Sequence, residues 1–278
     1  MALPRKIAPD VPPLIAVHGI RRGARLQAAL FAERAAAVGQ AVIAPIFDKI
    51  SWLGYQQAFL CGRADLAVLD LMLALRHEGT VTAEQLDLFG FSGGAQFAHR
   101  FAMLHPDRVS HLSIASPGWY TFPDNATYPY GLWPRPNHAD AWSYRMIANL
   151  DRFLALPMQV SVGENDCLRD KNTRSGAAID AQQGLTRLDR ARKWTEAIRT
   201  VAAEMKIAPK ITLHVLEGCG HDFETCVTKG GLDCIVIPDA PAQLQPAALC
   251  RGTCSARQQM ACQARRAATP LHQMEATR

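Results

Sequence analysis

With 278 residues, 49% of them hydrophobic and 20% charged, the chain has the composition of a folded protein with a sizeable core and lies far from that of a disordered segment. The formal charge of +5 is unevenly spread: residues 240–278 hold five arginines against Glu275, so the remainder is close to neutral and gives nucleic-acid binding little electrostatic support. No apolar run reaches the length of a membrane span, which argues against a membrane partner.

In chain order, the opening stretch MALPRKIAPDVPPLIAVHG has two early basic residues, but its apolar run is short for an export signal. A cytoplasmic location is the expectation, and reduced cysteines with it. Leu14 to Val17 reads as a strand, followed by a helical pattern over 23–38, a short run Ala41 to Ala44 and a second helical pattern over 62–77. Leu86 to Phe89, a helix over 93–104, Val109 to Ala115, Met158 to Val162, a helix over 184–205 and Ile211 to Leu216 continue the alternation. Within 184–205, Leu188, Ala191, Trp194, Ile198, Val201 and Met205 recur at helical spacing. Strand alternating with helix predicts the α/β class: a doubly wound, mainly parallel sheet with helices on both faces.

The insertion 117–156 breaks the alternation and holds three of the five tryptophans and four of the five tyrosines. A long aperiodic excursion beside strand ends predicts a lid or substrate wall, with Trp119, Tyr120 and Trp133 as candidate substrate-binding residues. After Ile237 the composition shifts to alanine, glutamine and arginine without aromatics, so residues 1–239 read as one domain and 240–278 as a C-terminal tail unable to bury much surface. Six of the eight cysteines follow residue 218. Cys250, Cys254 and Cys262, with His272, lack the spacing of a zinc knuckle, so no metal is expected.

The chemistry concentrates at Gly90-Phe91-Ser92-Gly93-Gly94, between a strand and a helix. Glycines two residues either side let strand and helix approach closely while the turn pushes the Ser92 hydroxyl outward, the arrangement of a nucleophile elbow. A serine hydroxyl is a weak nucleophile until a base takes its proton. In the chain order of that architecture an acid comes next and a histidine last. Asp166 follows the strand Met158 to Val162, with Glu164 and Asp170 close by, and His221 follows Ile211 to Leu216 in the stretch EGCGHDF. All three project from the same sheet edge, where open α/β folds bind ligands. An oxyanion hole is expected from the backbone N–H groups of Gly93 and of Ile20, or Arg21 one residue on, in the loop after the first strand.

Taken together, His18-Gly19, Gly90-x-Ser92-x-Gly94, Asp166 and the G-x-G-H-x-F pattern through His221 and Phe223 resemble the α/β-hydrolase superfamily over about residues 12–237. The stretch GFSGGAQFAHRFAMLHPDRV is similar to its bacterial serine esterase and polyhydroxyalkanoate-depolymerase-like members. The resemblance implies the α/β-hydrolase fold, hydrolysis of a small-molecule or polymeric ester through an acyl-enzyme, and no metal or organic cofactor. Two departures stand out. Few residues precede Pro13, so the antiparallel N-terminal edge is expected to be shortened and covered by a dimer partner or the tail. The cysteine-bearing tail has no counterpart.

Overall fold

Six short aliphatic and aromatic runs form the strands β1 (Leu14–Val17), β2 (Val42–Ile43), β3 (Leu86–Phe91), β4 (Val109–Ala115), β5 (Met158–Gly163) and β6 (Ile211–Leu216). They pair in the order β2-β1-β3-β4-β5-β6, every neighbouring pair parallel. The computed structural model describes residues 1–9, 11–59, 62–135, 141–170 and 172–239. The C-terminal tail 240–278, with Cys250, Cys254, Cys262 and His272, lies outside the described residues.

The period of two along each strand divides the core between the sheet's faces. Leu14, Ala16, Phe89 and Phe91 pack on one face against Phe31 and Ala35 of α1 (Ala24–Val38), Phe223 and Cys226 of α8 (Phe223–Thr228), and Leu232 and Val236 of α9 (Leu232–Val236). Ile15, Val17 and Leu88 belong to the other face. There they join Val68 and Met72 of α2 (Ala64–His77), Phe97 and Phe101 of α3 (Gly93–Leu104), and Trp194 and Ile198 of α7 (Arg187–Glu204). Helix α7 starts with a capping box in which the Thr186 hydroxyl accepts from the Asp189 N–H and the Asp189 carboxylate accepts from the Thr186 N–H.

Every residue of α3 is buried, so its polar side chains need internal partners. Several of these partners lie in the 117–122 segment. The Thr121 N–H donates to His99 Nε2 at 3.0 Å, and Arg100 Nε donates to Thr121 Oγ1 at 3.0 Å. From α7, Trp194 Nε1 donates to the Thr121 carbonyl at 2.9 Å.

These anchors turn several aromatics of the described part of 117–156 inward. Tyr120, Phe122, Tyr128 and Leu132 are core residues of the α3 face, and Tyr120 stacks on Trp194 at 5.0 Å. The same insertion contains two helices not visible as periodicity, α4 (Ala141–Ala148) and α5 (Leu150–Leu154). Each is too short for a recurring apolar face to register. A third unforeseen helix, α6 (Ala177–Gln183), precedes α7. At the N-terminal edge a single antiparallel bridge, Ala2 to Val42, covers β2 through hydrogen bonds of 2.8 and 2.9 Å. Among the described residues no helix is long and apolar enough to cross a membrane.

Candidate active site

The strand order reverses at β1 and β3, since β2 lies on one side of β1 and β3 to β6 on the other. The loops leaving these two strands therefore diverge and open a crevice at their carboxyl ends. Ser92 sits there as the N-cap of α3, with φ 56° and ψ −112°. A non-glycine residue in this region stores about 1–3 kcal/mol of strain, held by its surroundings. Those surroundings exclude any side chain beyond hydrogen at the flanking glycines. A Cβ at Gly90 would lie 2.2 Å from the Gly94 carbonyl oxygen, and one at Gly94 would lie 1.9 Å from that of Val17.

The loop after β5 delivers Asp166, which is 3% exposed, and the loop after β6 delivers half-buried His221. The Ser92 hydroxyl and His221 Nε2 are 3.0 Å apart, and His221 Nδ1 is 2.8 Å from Asp166 Oδ2. An ionised carboxylate only accepts, so Nδ1 carries the proton and Nε2 is free to receive one from the hydroxyl. Phe91 stacks beneath the imidazole with ring centroids 5.2 Å apart, which fixes the ring plane.

The other Asp166 oxygen, Oδ1, accepts from Nη1 of Arg187 at 3.2 Å. Arg187 is 1% exposed, and its Nη2 donates to Asp170 Oδ1 at 2.8 Å. Burial raises the Asp170 pKa, but the Arg187 and Thr173 hydrogen bonds outweigh it and pull it down to about 2. Arg187 had no role in the sequence reading, although Arg187, Ala191 and Trp194 share one helical stripe of α7 that could have shown it facing inward.

The loop after β1 is built around His18. Burial lowers the pKa of His18, and its Nε2 accepts from the Phe47 N–H at 3.0 Å. The ring is therefore neutral with its proton on Nδ1, which donates to the Gly19 carbonyl at 2.8 Å. The Tyr55 hydroxyl donates to the His18 carbonyl at 2.7 Å, and Arg22 Nη1 donates to the Ile20 carbonyl at 2.7 Å. The Ile20 nitrogen stands 3.4 Å from the point a Cβ on Gly93 would occupy. Gly93 is the first residue of α3, so its N–H has no partner within the helix.

Among the described residues, two cavities flank Ser92. One, of about 190 Å³, is lined by Ile20, Phe91, His221 and Phe223 together with the acidic Asp170, Asp222 and Glu224. The other, of about 300 Å³, is lined by Ile20, Gly93, Gln56, Gln96, Trp119 and Arg174 among others. Of the three aromatic candidates only Trp119 lines either one. Tyr120 is fully buried and lines neither cavity, and Trp133, 58% exposed, also lines neither. Among the described residues no cluster of His, Cys, Asp or Glu could hold a metal ion.

No protein-family model and no curated protein matches the chain. Among solved structures it is similar to the LpqC poly(3-hydroxybutyrate) depolymerase of Bordetella parapertussis, with 28% identity and a TM-score of 0.65 over 79% of this chain and 77% of that one. Poly(aspartic acid) hydrolase-1 of Sphingomonas sp. KT-1 matches at 26% identity with a TM-score of 0.65, over 79% of this chain and 86% of that one. An S-formylglutathione hydrolase of Agrobacterium tumefaciens, at 14% identity and a TM-score of 0.51 over 84% and 85%, shares the fold. The chain has the α/β-hydrolase fold and resembles that superfamily. Its neighbours support a hydrolase of the α/β type.

Proposed function

We propose that this chain, an α/β-hydrolase in fold, is a serine hydrolase that cleaves carboxylic esters through an acyl-enzyme intermediate. The observation that carries the reading is the continuous line Ser92–His221–Asp166, at 3.0 and 2.8 Å, on three separate strand-end loops. In the first half-reaction the Ser92 oxygen bonds to the acyl carbon while its proton passes to His221 Nε2. The tetrahedral oxyanion is held by the N–H groups of Gly93 and Ile20. The bond to the alcohol oxygen then breaks and His221 returns the proton to that leaving group. In the second half-reaction water, deprotonated by the same imidazole, attacks the acyl carbon and Ser92 leaves with the proton. The net result is one water consumed and one acid and one alcohol released.

Asp166 keeps Nδ1 protonated and stabilises the imidazolium, and Arg187 keeps Asp166 oriented. A second reading, hydrolysis of a polymer, is favoured by the poly(3-hydroxybutyrate) and poly(aspartic acid) substrates named for the two neighbours above. The test is turnover of 4-nitrophenyl esters by the protein and by Ser92→Ala. The serine mechanism predicts an initial burst of nitrophenol and at least about 10⁴-fold loss in the variant. Equal rates for the two proteins would end it.

A further inference from the structure

The two cavities beside Ser92 differ in charge, and the difference bears on which acyl groups are accepted, given the serine-hydrolase reading above. The cavity that contains His221 also contains Asp222 and Glu224 together with Arg21, and Asp170, which Arg187 already pairs. Among the described residues, the cavity on the Gly93 side has no acidic lining residue and is lined by the amide side chains of Gln56, Gln96 and Asn172, by Trp119, and by Arg174. A leaving alcohol must receive its proton from His221, so it departs through the first cavity. The acyl chain is left with the second.

That second cavity is electropositive for structural reasons. Two guanidinium groups approach the Trp119 indole, Arg100 at 4.1 Å from the ring centroid and Arg174 at 5.4 Å. Arg100 is fully buried and donates to Thr121 Oγ1 and to the carbonyls of Gln56 and Gln96, none of them charged. Its Nη2 is buried without a hydrogen-bond partner. Burial, with a smaller contribution from the Arg174 charge, lowers the Arg100 pKa to about 10. The acidic residues flanking Arg174 in sequence are engaged elsewhere: Asp170 by Arg187, and Asp180 by Arg169 and Arg190. Arg174 also reaches over Tyr130, at 5.5 Å, so two rings hold its planar fork at the cavity wall.

We infer that the Arg174 cavity is an acyl subsite for a carboxylate, so the preferred substrates are esters of dicarboxylic acids whose free carboxylate pairs with the Arg174 guanidinium. Arginine suits this role because its fork matches a carboxylate in two parallel hydrogen bonds.

The test compares kcat/KM for 4-nitrophenyl half-esters of succinic, glutaric and adipic acid with that for the neutral 4-nitrophenyl pentanoate. The protein and the variants Arg174→Met and Arg174→Lys are measured side by side; Arg174 is exposed, so neither change disturbs the core. The best half-ester is expected to exceed the neutral ester about tenfold or more, and Arg174→Met to lower that ratio by about tenfold or more, with Arg174→Lys in between. If the neutral ester is turned over in a Ser92-dependent way and the ratio stays within about twofold in Arg174→Met, the subsite is refuted and the serine mechanism stands. If neither ester type is turned over and Ser92 resists a fluorophosphonate, the underlying mechanism fails and the subsite falls with it.

Discussion

Replacing Arg187 with methionine removes the buried cation that, among the described residues, touches Asp166, while keeping a side chain of comparable length. The pair is 3.2 Å apart with 1% and 2% of the two side chains exposed. At an effective dielectric of about 20 that separation corresponds to an attraction of about 5 kcal/mol, much of which offsets the cost of taking both ions out of water. Deleting one partner leaves the other buried, and such losses run to about 3–5 kcal/mol. The lower end applies here, because Asp166 keeps His221 as a donor and the second partner, Asp170, is 41% exposed. A loss of about 3 kcal/mol lowers Tm by roughly 6–12 °C in a domain of this size. Freed from one of its two side-chain donors, the carboxylate aims less well at the imidazole, and kcat falls about ten- to a hundredfold with KM nearly unchanged, since Arg187 touches no substrate. Thermal melting and steady-state hydrolysis of a 4-nitrophenyl ester read both effects. A variant that melts within about 2 °C of the parent and keeps its kcat would refute the positioning role of Arg187.

At the elbow, Gly94→Ala is expected to yield little soluble protein, because its methyl would sit 1.9 Å from a backbone oxygen that cannot move aside; soluble expression and circular dichroism check this, and a folded, cooperative variant would contradict it. At the C-terminal end of α3, buried Asp65 accepts two bonds from Arg63 and one from His105; burial raises its pKa, but these partners pull it down to about 2. Because the folded-state value lies below the unfolded one, the carboxylate contributes stability above about pH 4 that is lost as pH falls toward 2. The difference amounts to about 2 kcal/mol. Asp65→Asn should therefore lower Tm at pH 6 and converge on the parent near pH 2.5, and a gap independent of pH would overturn this. His18→Leu leaves the buried Phe47 N–H without an acceptor and the Gly19 carbonyl without its donor, so it should cost about 1–3 kcal/mol in stability and lower kcat through a loosened Ile20 loop. Denaturant unfolding and turnover measured on one preparation check it.

The strands and long helices were legible in the sequence because each has a face whose period repeats often enough to see. Leu188, Ala191, Trp194 and Ile198 along α7 are an example. The positions of Ser92, Asp166 and His221 were legible for another reason: glycine spacing and strand-end location constrain backbone geometry locally, and the chain order of the three is a long-range clue. The roles within the aromatic insertion were not legible, because Tyr120 and Phe122 look the same in sequence whether they cover a substrate or pack on a buried helix. What decides between these is that α3 is buried on all sides and presents His99 and Arg100 to the Thr121 backbone and hydroxyl. Arg187 and Arg174 were invisible for a related reason. An arginine in a polar stretch reads as solvated, and only the folded chain shows one inserted behind Asp166 and the other held over Trp119.

The central claim is that the imidazole of His221, held by Asp166, makes the Ser92 oxygen a nucleophile. Intact-mass analysis after treatment with a fluorophosphonate tests it without reference to any particular ester. The account predicts a single adduct per chain, mapped to the peptide containing Ser92, absent in Ser92→Ala and formed at least about a hundredfold more slowly in His221→Ala. No adduct on the parent protein, or one that survives Ser92→Ala, would contradict it.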